Sequence, residues 1–208
     1  MPPANRRATS TLIVGACLAL VGSCGSSIPQ TARPTAGTNV IAFGDSLVEG
    51  RGAPAGRDFS AVLAERLGVP IIKAGRSGDT TGMALRRLHS EVLSADPRVV
   101  IVLLGGNDFL RRVPIDETFG NLDTMVAQIR ERGAAVVLVG VSVGLFDAYA
   151  ARYEALAQQH AAVFVPDILD GIMGRSALTS DAIHPNERGY SLIADRLEPV
   201  VRELLTGN

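Results

Sequence analysis

Past residue 38 the chain alternates short, nearly continuous apolar runs with longer stretches whose apolar residues recur every three or four positions. Asn39 to Phe43 is such a run, bounded by glycine, and Ala61-Val62-Leu63-Ala64-Glu65-Arg66-Leu67 carries helical spacing until Gly68 stops it. Val69 to Ile72 reads as a second strand. Thr80 to Leu93 reads as a helix with Leu85, Leu88 and Val92 on one face, and Asp96-Pro97 closes it ahead of the most apolar strand, Val99 to Leu104. A helix over about 116–132 buries Leu122, Met125, Val126 and Ile129, and is followed by a fourth strand over 135–141, a helix over 148–159 and a fifth strand, Val163 to Val165. The last helix, about 187–205, aligns Ile193, Leu197, Val201 and Leu204 and is expected to bend at Pro199.

Continuous β-branched runs separated by helices belong to parallel strands covered on both faces. The expected fold is therefore a three-layer α/β/α sandwich on a five-stranded parallel sheet. With 208 residues and 47% hydrophobic side chains, the chain has material for one sizeable core. The domain is expected to begin at Thr38 and run to the C-terminus at 208. Upstream, Arg6 and Arg7 precede an apolar stretch from Leu12 to Val21, too short to span a bilayer and ending in Val21-Gly22-Ser23-Cys24. Residues 1–24 thus read as an export signal of lipoprotein type, with Cys24 as the lipidated residue and an envelope location reached through that anchor. Residues 25–37 are small, polar and proline-broken, which reads as a flexible tether. The other cysteine, Cys17, also lies in the signal, so the domain offers neither a disulfide nor a thiol nucleophile. Basic and acidic residues number 20 and 21 and are interspersed, which argues against nucleic acid as a partner. Lys73, the only lysine, falls in a strand and is a poor Schiff-base candidate.

In such a sheet ligands bind outside the carboxyl ends of the strands, so the residues after each strand carry the candidate chemistry. Strand one is followed by Gly44-Asp45-Ser46-Leu47, strand two by Gly75-Arg76-Ser77-Gly78-Asp79-Thr80, and strand three by Gly105-Gly106-Asn107-Asp108; Asp181-Ala182-Ile183-His184-Pro185 precedes the last helix. A serine hydroxyl is a weak nucleophile and needs a base whose tautomer a third group fixes. His89 sits mid-helix and His160 closes a helix, both structural positions; His184 lies in a loop with a carboxylate three residues earlier. Ser46 is therefore the candidate nucleophile, His184 the base and Asp181 its orienting group. The backbone N–H groups of Ser46 and Gly78 and the side-chain amide of Asn107 are the candidate donors to a developing oxyanion. Asp79 and either Asp181 or Asn186 read as helix caps as well.

These four segments together resemble the SGNH, or GDSL, hydrolase family: Gly44 to Leu47 matches its nucleophile block, Gly78 its second-block glycine, Gly106-Asn107-Asp108 its asparagine block, and Asp181 to His184 its terminal Asp-x-x-His block. Ser77 to Thr80 and Asp181 to Asn186 resemble the compact branch with periplasmic acyl-CoA thioesterase, lysophospholipase and arylesterase activities. The resemblance implies a flavodoxin-like fold, no cofactor, and a shallow, adaptable site that cleaves small acyl esters or thioesters of varied chain length; the isolated histidines and the lack of cysteine in the domain leave no zinc cluster, so no metal is expected. The chain departs from the pattern just after Asn107, where Phe109 and Leu110, candidate acyl contacts, precede Arg111 and Arg112.

Gly140-Val141-Ser142-Val143-Gly144 also fits a G-x-S-x-G elbow, which would make Ser142 the nucleophile, but helical spacing does not resume directly after it and the other turns would lack a role. Two further readings stay open: a carbohydrate O-deacetylase using Arg111 or Arg112 on an acidic glycan, and a catalytically silent binding lipoprotein.

Overall fold

The computed structural model describes residues 28–141 and 147–207; residues 1–24, where an export signal ending at Cys24 is expected, and Ser142 lie outside them. Five parallel strands, β1 (Asn39–Gly44), β2 (Ile71–Gly75), β3 (Pro97–Leu103), β4 (Ala135–Val139) and β5 (Val163–Val165), form one sheet in the order β2-β1-β3-β4-β5. Among the described residues seven α-helices lie between and after them: α1 (Ser46–Glu49), α2 (Phe59–Leu67), α3 (Thr81–Glu91), α4 (Gly106–Leu110), α5 (Ile115–Glu131), α6 (Asp147–Gln159) and α7 (Glu187–Thr206).

Side chains alternate across a strand, so each run feeds two cores. Val40 and Ala42 of β1, Val99, Ile101 and Leu103 of β3 and Val137 and Val139 of β4 pack with Phe59 and Leu63 of α2 and Ile193, Leu197, Val201 and Leu204 of α7. Ile41 and Phe43, Val100 and Val102, and Val136 and Leu138 face the opposite way, against Ala84 and Leu88 of α3, Leu122, Met125 and Ile129 of α5 and Tyr153 and Leu156 of α6. That division is the three-layer sandwich the apolar runs imply. The chain leaves β1 toward β2 and returns to the other side of β1 to form β3, so the crevice of this sheet lies above the carboxyl ends of β1 and β3.

Two expectations need correction. Residues 28–37 are not a free tether. Ile28 and Ala32 are buried in the α2/α7 core, the Ile28 N–H donates to Glu203 Oε1 at 2.7 Å, Arg33 pairs with Glu203 at 3.2 Å, and the Thr35 N–H donates to the Gly133 carbonyl at 2.7 Å. Composition averaged these few anchoring residues into a proline-rich background; their partners, Glu203 near the C-terminal end of α7 and Gly133 after α5, lie far along the chain. The cap of α3 is Thr80, whose hydroxyl accepts the Met83 N–H at 3.3 Å, rather than Asp79. Asp79 is instead drawn to Arg87, one turn and a half into the helix.

Candidate active site

Asp181, in the loop before α7, folds back on its own backbone. Its Oδ1 accepts the N–H groups of Ile183 at 2.9 Å and His184 at 2.8 Å, and the loop is closed by an antiparallel bridge between Thr179 and Pro185. This compact turn is why a three-residue spacing works: it delivers the carboxylate to the ring of His184, with Oδ2 2.7 Å from Nδ1. The two backbone N–H groups and the imidazole together hold the Asp181 carboxyl down to about 2, the Ile183 N–H contributing most, so it is ionised throughout the neutral range. An ionised carboxylate only accepts, so Nδ1 carries the hydrogen and the neutral ring leaves Nε2 as an acceptor. Nε2 lies 3.1 Å from Ser46 Oγ, which therefore donates to it. Asn186, one residue past Pro185, caps α7 by accepting the Arg188 and Gly189 N–H groups.

Ser46 is the first residue of α1, so its N–H has no intrahelical acceptor. Gly44, just ahead, is packed so closely that a Cβ there would strike the Leu103 carbonyl, which brings the ends of β1 and β3 together. Gly78 takes φ +82°, a left-handed conformation that other residues adopt only under strain, and its carbonyl accepts a hydrogen bond from Arg111 Nη2 at 2.7 Å. Asn107, in the first turn of α4, directs Nδ2 to Asp45 Oδ2 at 3.1 Å and to the Asp79 carbonyl at 3.0 Å. Ser46, Asn107 and His184 are thus brought to one cavity, and the Gly78 turn adjoins Asn107 through Asp79; Gly78 itself is not among the residues lining that cavity.

The cavity encloses about 280 Å³ and is walled mainly by Leu47, Phe109, Leu110, Val141, Leu169, Met173 and Ile183. Phe109 also meets Tyr149 edge-on, with ring centroids 5.9 Å apart, while Leu110 and Ile183 stand 56% and 46% exposed at the mouth. Leu169 and Met173 carry no sequence signal; they come from the irregular stretch between β5 and α7 and are brought in only by the fold.

Two buried polar residues, Arg87 and Asp45, went unassigned from sequence. Arg87 is buried and donates to Asp79 Oδ2 at 2.7 Å, to the Ala74 carbonyl at 3.0 Å, to the Gly44 carbonyl at 2.8 Å and to Glu91 at 2.6 Å, with its guanidinium over the Phe43 ring. It ties together the ends of β1 and β2, from which the Ser46 and Gly78 turns depart. Asp45 is only 4% exposed, and burial pushes its carboxyl up to about 7. The unfolded carboxyl loses its proton near 3.8 and the folded one near 7, so the folded state binds the extra proton between these values and stability falls as pH rises through that window. Asp45→Asn does not titrate there. Relative to the parent it should gain roughly 2–4 kcal/mol between pH 4 and pH 8, read by urea unfolding at both values. A difference that does not change with pH would show that Asp45 ionises in the fold at its ordinary value.

A serine, an imidazole and a carboxylate in hydrogen-bonded order at the carboxyl ends of a doubly wound sheet define a serine hydrolase, one that acts on carboxylic ester or thioester bonds. The chain belongs to the GDSL-like lipase/acylhydrolase family, whose profile matches residues 42–192. It is 29% identical to the esterase TesA of Pseudomonas aeruginosa over 93% of this chain and 98% of that protein, and 28% identical to the thioesterase 1/protease 1/lysophospholipase L1 of Escherichia coli over 82% and 88%. Among solved structures it is similar to AlinE4, an SGNH-hydrolase family esterase, with 31% identity, a TM-score of 0.63 and coverage of 81% of this chain and 97% of that one.

Proposed function

We propose that the protein hydrolyses esters and thioesters of apolar acyl groups through an acyl-enzyme on Ser46. The observation that carries this reading is the chain of contacts from Ser46 Oγ to His184 Nε2, 3.1 Å, and from His184 Nδ1 to Asp181 Oδ2, 2.7 Å, at the edge of an apolar cavity. Ser46 Oγ attacks the acyl carbonyl carbon while its proton passes to His184 Nε2, and Asp181 stabilises the resulting imidazolium. The carbonyl oxygen, now negative, is met by the Ser46 and Gly78 N–H groups and by Asn107. His184 returns the proton to the departing alcohol or thiol, a water enters with the same base assisting, and the carboxylic acid leaves.

In this reading Phe109 and Leu110 take the acyl chain, together with Leu169 and Met173, which line the same cavity. A wall of this composition supports an acyl group of several carbons over an acetyl group on a sugar. The TesA and thioesterase/lysophospholipase names of the relatives fit that choice. On p-nitrophenyl esters from acetyl to palmitoyl, kcat/KM is expected to rise from acetyl to a medium chain by about tenfold or more, since each buried CH2 contributes about 0.8 kcal/mol. An optimum at acetyl would favour the deacetylase reading. Export and lipidation at Cys24 belong to the same proposal and rest on the apolar stretch and Val21-Gly22-Ser23-Cys24.

A further inference from the structure

Asp45 is a buried carboxylate without an obvious structural need for both its oxygens. Oδ1 caps α1 by accepting the Leu47 N–H at 3.0 Å, a task that a serine or an asparagine performs as well. Oδ2 faces Asn107 Nδ2 at 3.1 Å, and both residues line the catalytic cavity. Among the described residues no cation pairs with Asp45, while Asp79 and Asp108 lie close enough to oppose its charge. Asp79 is neutralised by Arg87, and Asp108 is held by the Thr81 N–H and hydroxyl at 2.9 and 2.6 Å. Keeping a carboxylate here lowers stability, so its second oxygen calls for a functional reason.

That reason lies in the shape of an amide. The oxygen and nitrogen ends of Asn107 have the same size, and only their surroundings decide which one faces the reacting carbonyl. Asp45 Oδ2 and the Asp79 carbonyl are both acceptors, 3.1 and 3.0 Å from Nδ2. Turning the amide over would set its oxygen against two other oxygens.

We propose that Asp45 is the positioning residue of the oxyanion donor: it selects the nitrogen end of Asn107 and holds one amide hydrogen. The other hydrogen rests on the Asp79 carbonyl and is given to the substrate oxygen as that oxygen becomes negative. This rests on Asn107 being an oxyanion donor, as proposed above. An NH2 group has two hydrogens, so an amide with neither fixed would divide them among three acceptors; fixing one leaves a single competition, which a negative oxygen wins over a neutral carbonyl.

The test is a double-mutant cycle at pH 8 on the full chain, with Asp45→Asn, Asp45→Ser, Asn107→Ala and the two combinations. Asparagine preserves shape but can turn its own amide to Asn107; serine keeps the cap and falls short of it. Circular dichroism and the amount of serine titrated by a phosphonate ester count folded sites, so kcat is expressed per competent molecule. Each Asp45 variant is expected to lower kcat by roughly 10–100-fold with KM within about twofold, and to lower it by less than about threefold once Asn107 is alanine. An equal loss in both backgrounds, or an unchanged kcat in both Asp45 variants, overturns the positioning role while leaving Asn107 as donor. An unchanged kcat in Asn107→Ala overturns the donor assignment and this inference with it.

Discussion

His184→Ala is expected to lower kcat on an activated ester by roughly 10⁴–10⁶-fold, with Ser46→Ala falling equally far and the double variant no further. The equality follows from the 3.1 Å contact between Oγ and Nε2: one transfer needs both atoms, so removing either removes the step. KM should change little, since both substitutions leave the apolar wall of the cavity, Leu47, Phe109, Leu110, Leu169 and Met173, in place. The steady-state rate of each variant, set beside active-site titration of the parent, checks this. Additive losses would mean that the two residues serve separate steps.

Asn107→Ala should lower kcat by roughly 10²–10³-fold with KM nearly unchanged. A neutral ester carbonyl gains little from the Asn107 amide, whereas the negative oxygen of the tetrahedral intermediate gains a full charge-assisted hydrogen bond, so the loss falls on the transition state. The variant also removes the amide that donates to Asp45 Oδ2, leaving that carboxylate with backbone N–H donors, chiefly that of Leu47. Its carboxyl should then hold its proton more tightly still, because a hydrogen bond to the charged form has been lost. Stopped-flow measurement of the acylation step separates the effect on chemistry from any effect on binding. A fall in affinity with acylation unchanged would assign Asn107 to substrate binding.

The layers, and the candidate residues that the fold brings together, were legible in the sequence because each leaves a local mark. Val99 to Leu104 has the length and β-branching of a strand buried on both faces, and Asp181 reaches His184 within a single turn. What escaped is non-local. Ile28 and Arg33 look like tether residues until Glu203 is placed beside them. Arg87 reads as one more charge on a helix face, and only the return of the chain from β2 to β3 brings the Gly44 carbonyl and Asp79 to its guanidinium. Leu169 and Met173 have no periodicity to betray them. Asp79 read as a cap because aspartate before a helix usually is one; a buried arginine within reach outweighed a single backbone hydrogen bond.

Asp45 marks the site's physical compromise. The fold buries a carboxylate where a neutral residue would be more stable, and the variant expected to gain stability at pH 8 is the one expected to lose turnover. Sites that break a rule of packing in this way are where function concentrates.

The most direct test of the account is to react the protein with a p-nitrophenyl phosphonate ester and locate the adduct by peptide mass spectrometry. One equivalent on Ser46, abolished by His184→Ala, is the expected result. An adduct on Ser142, or none on the folded protein, would contradict the assignment of Ser46 as the nucleophile.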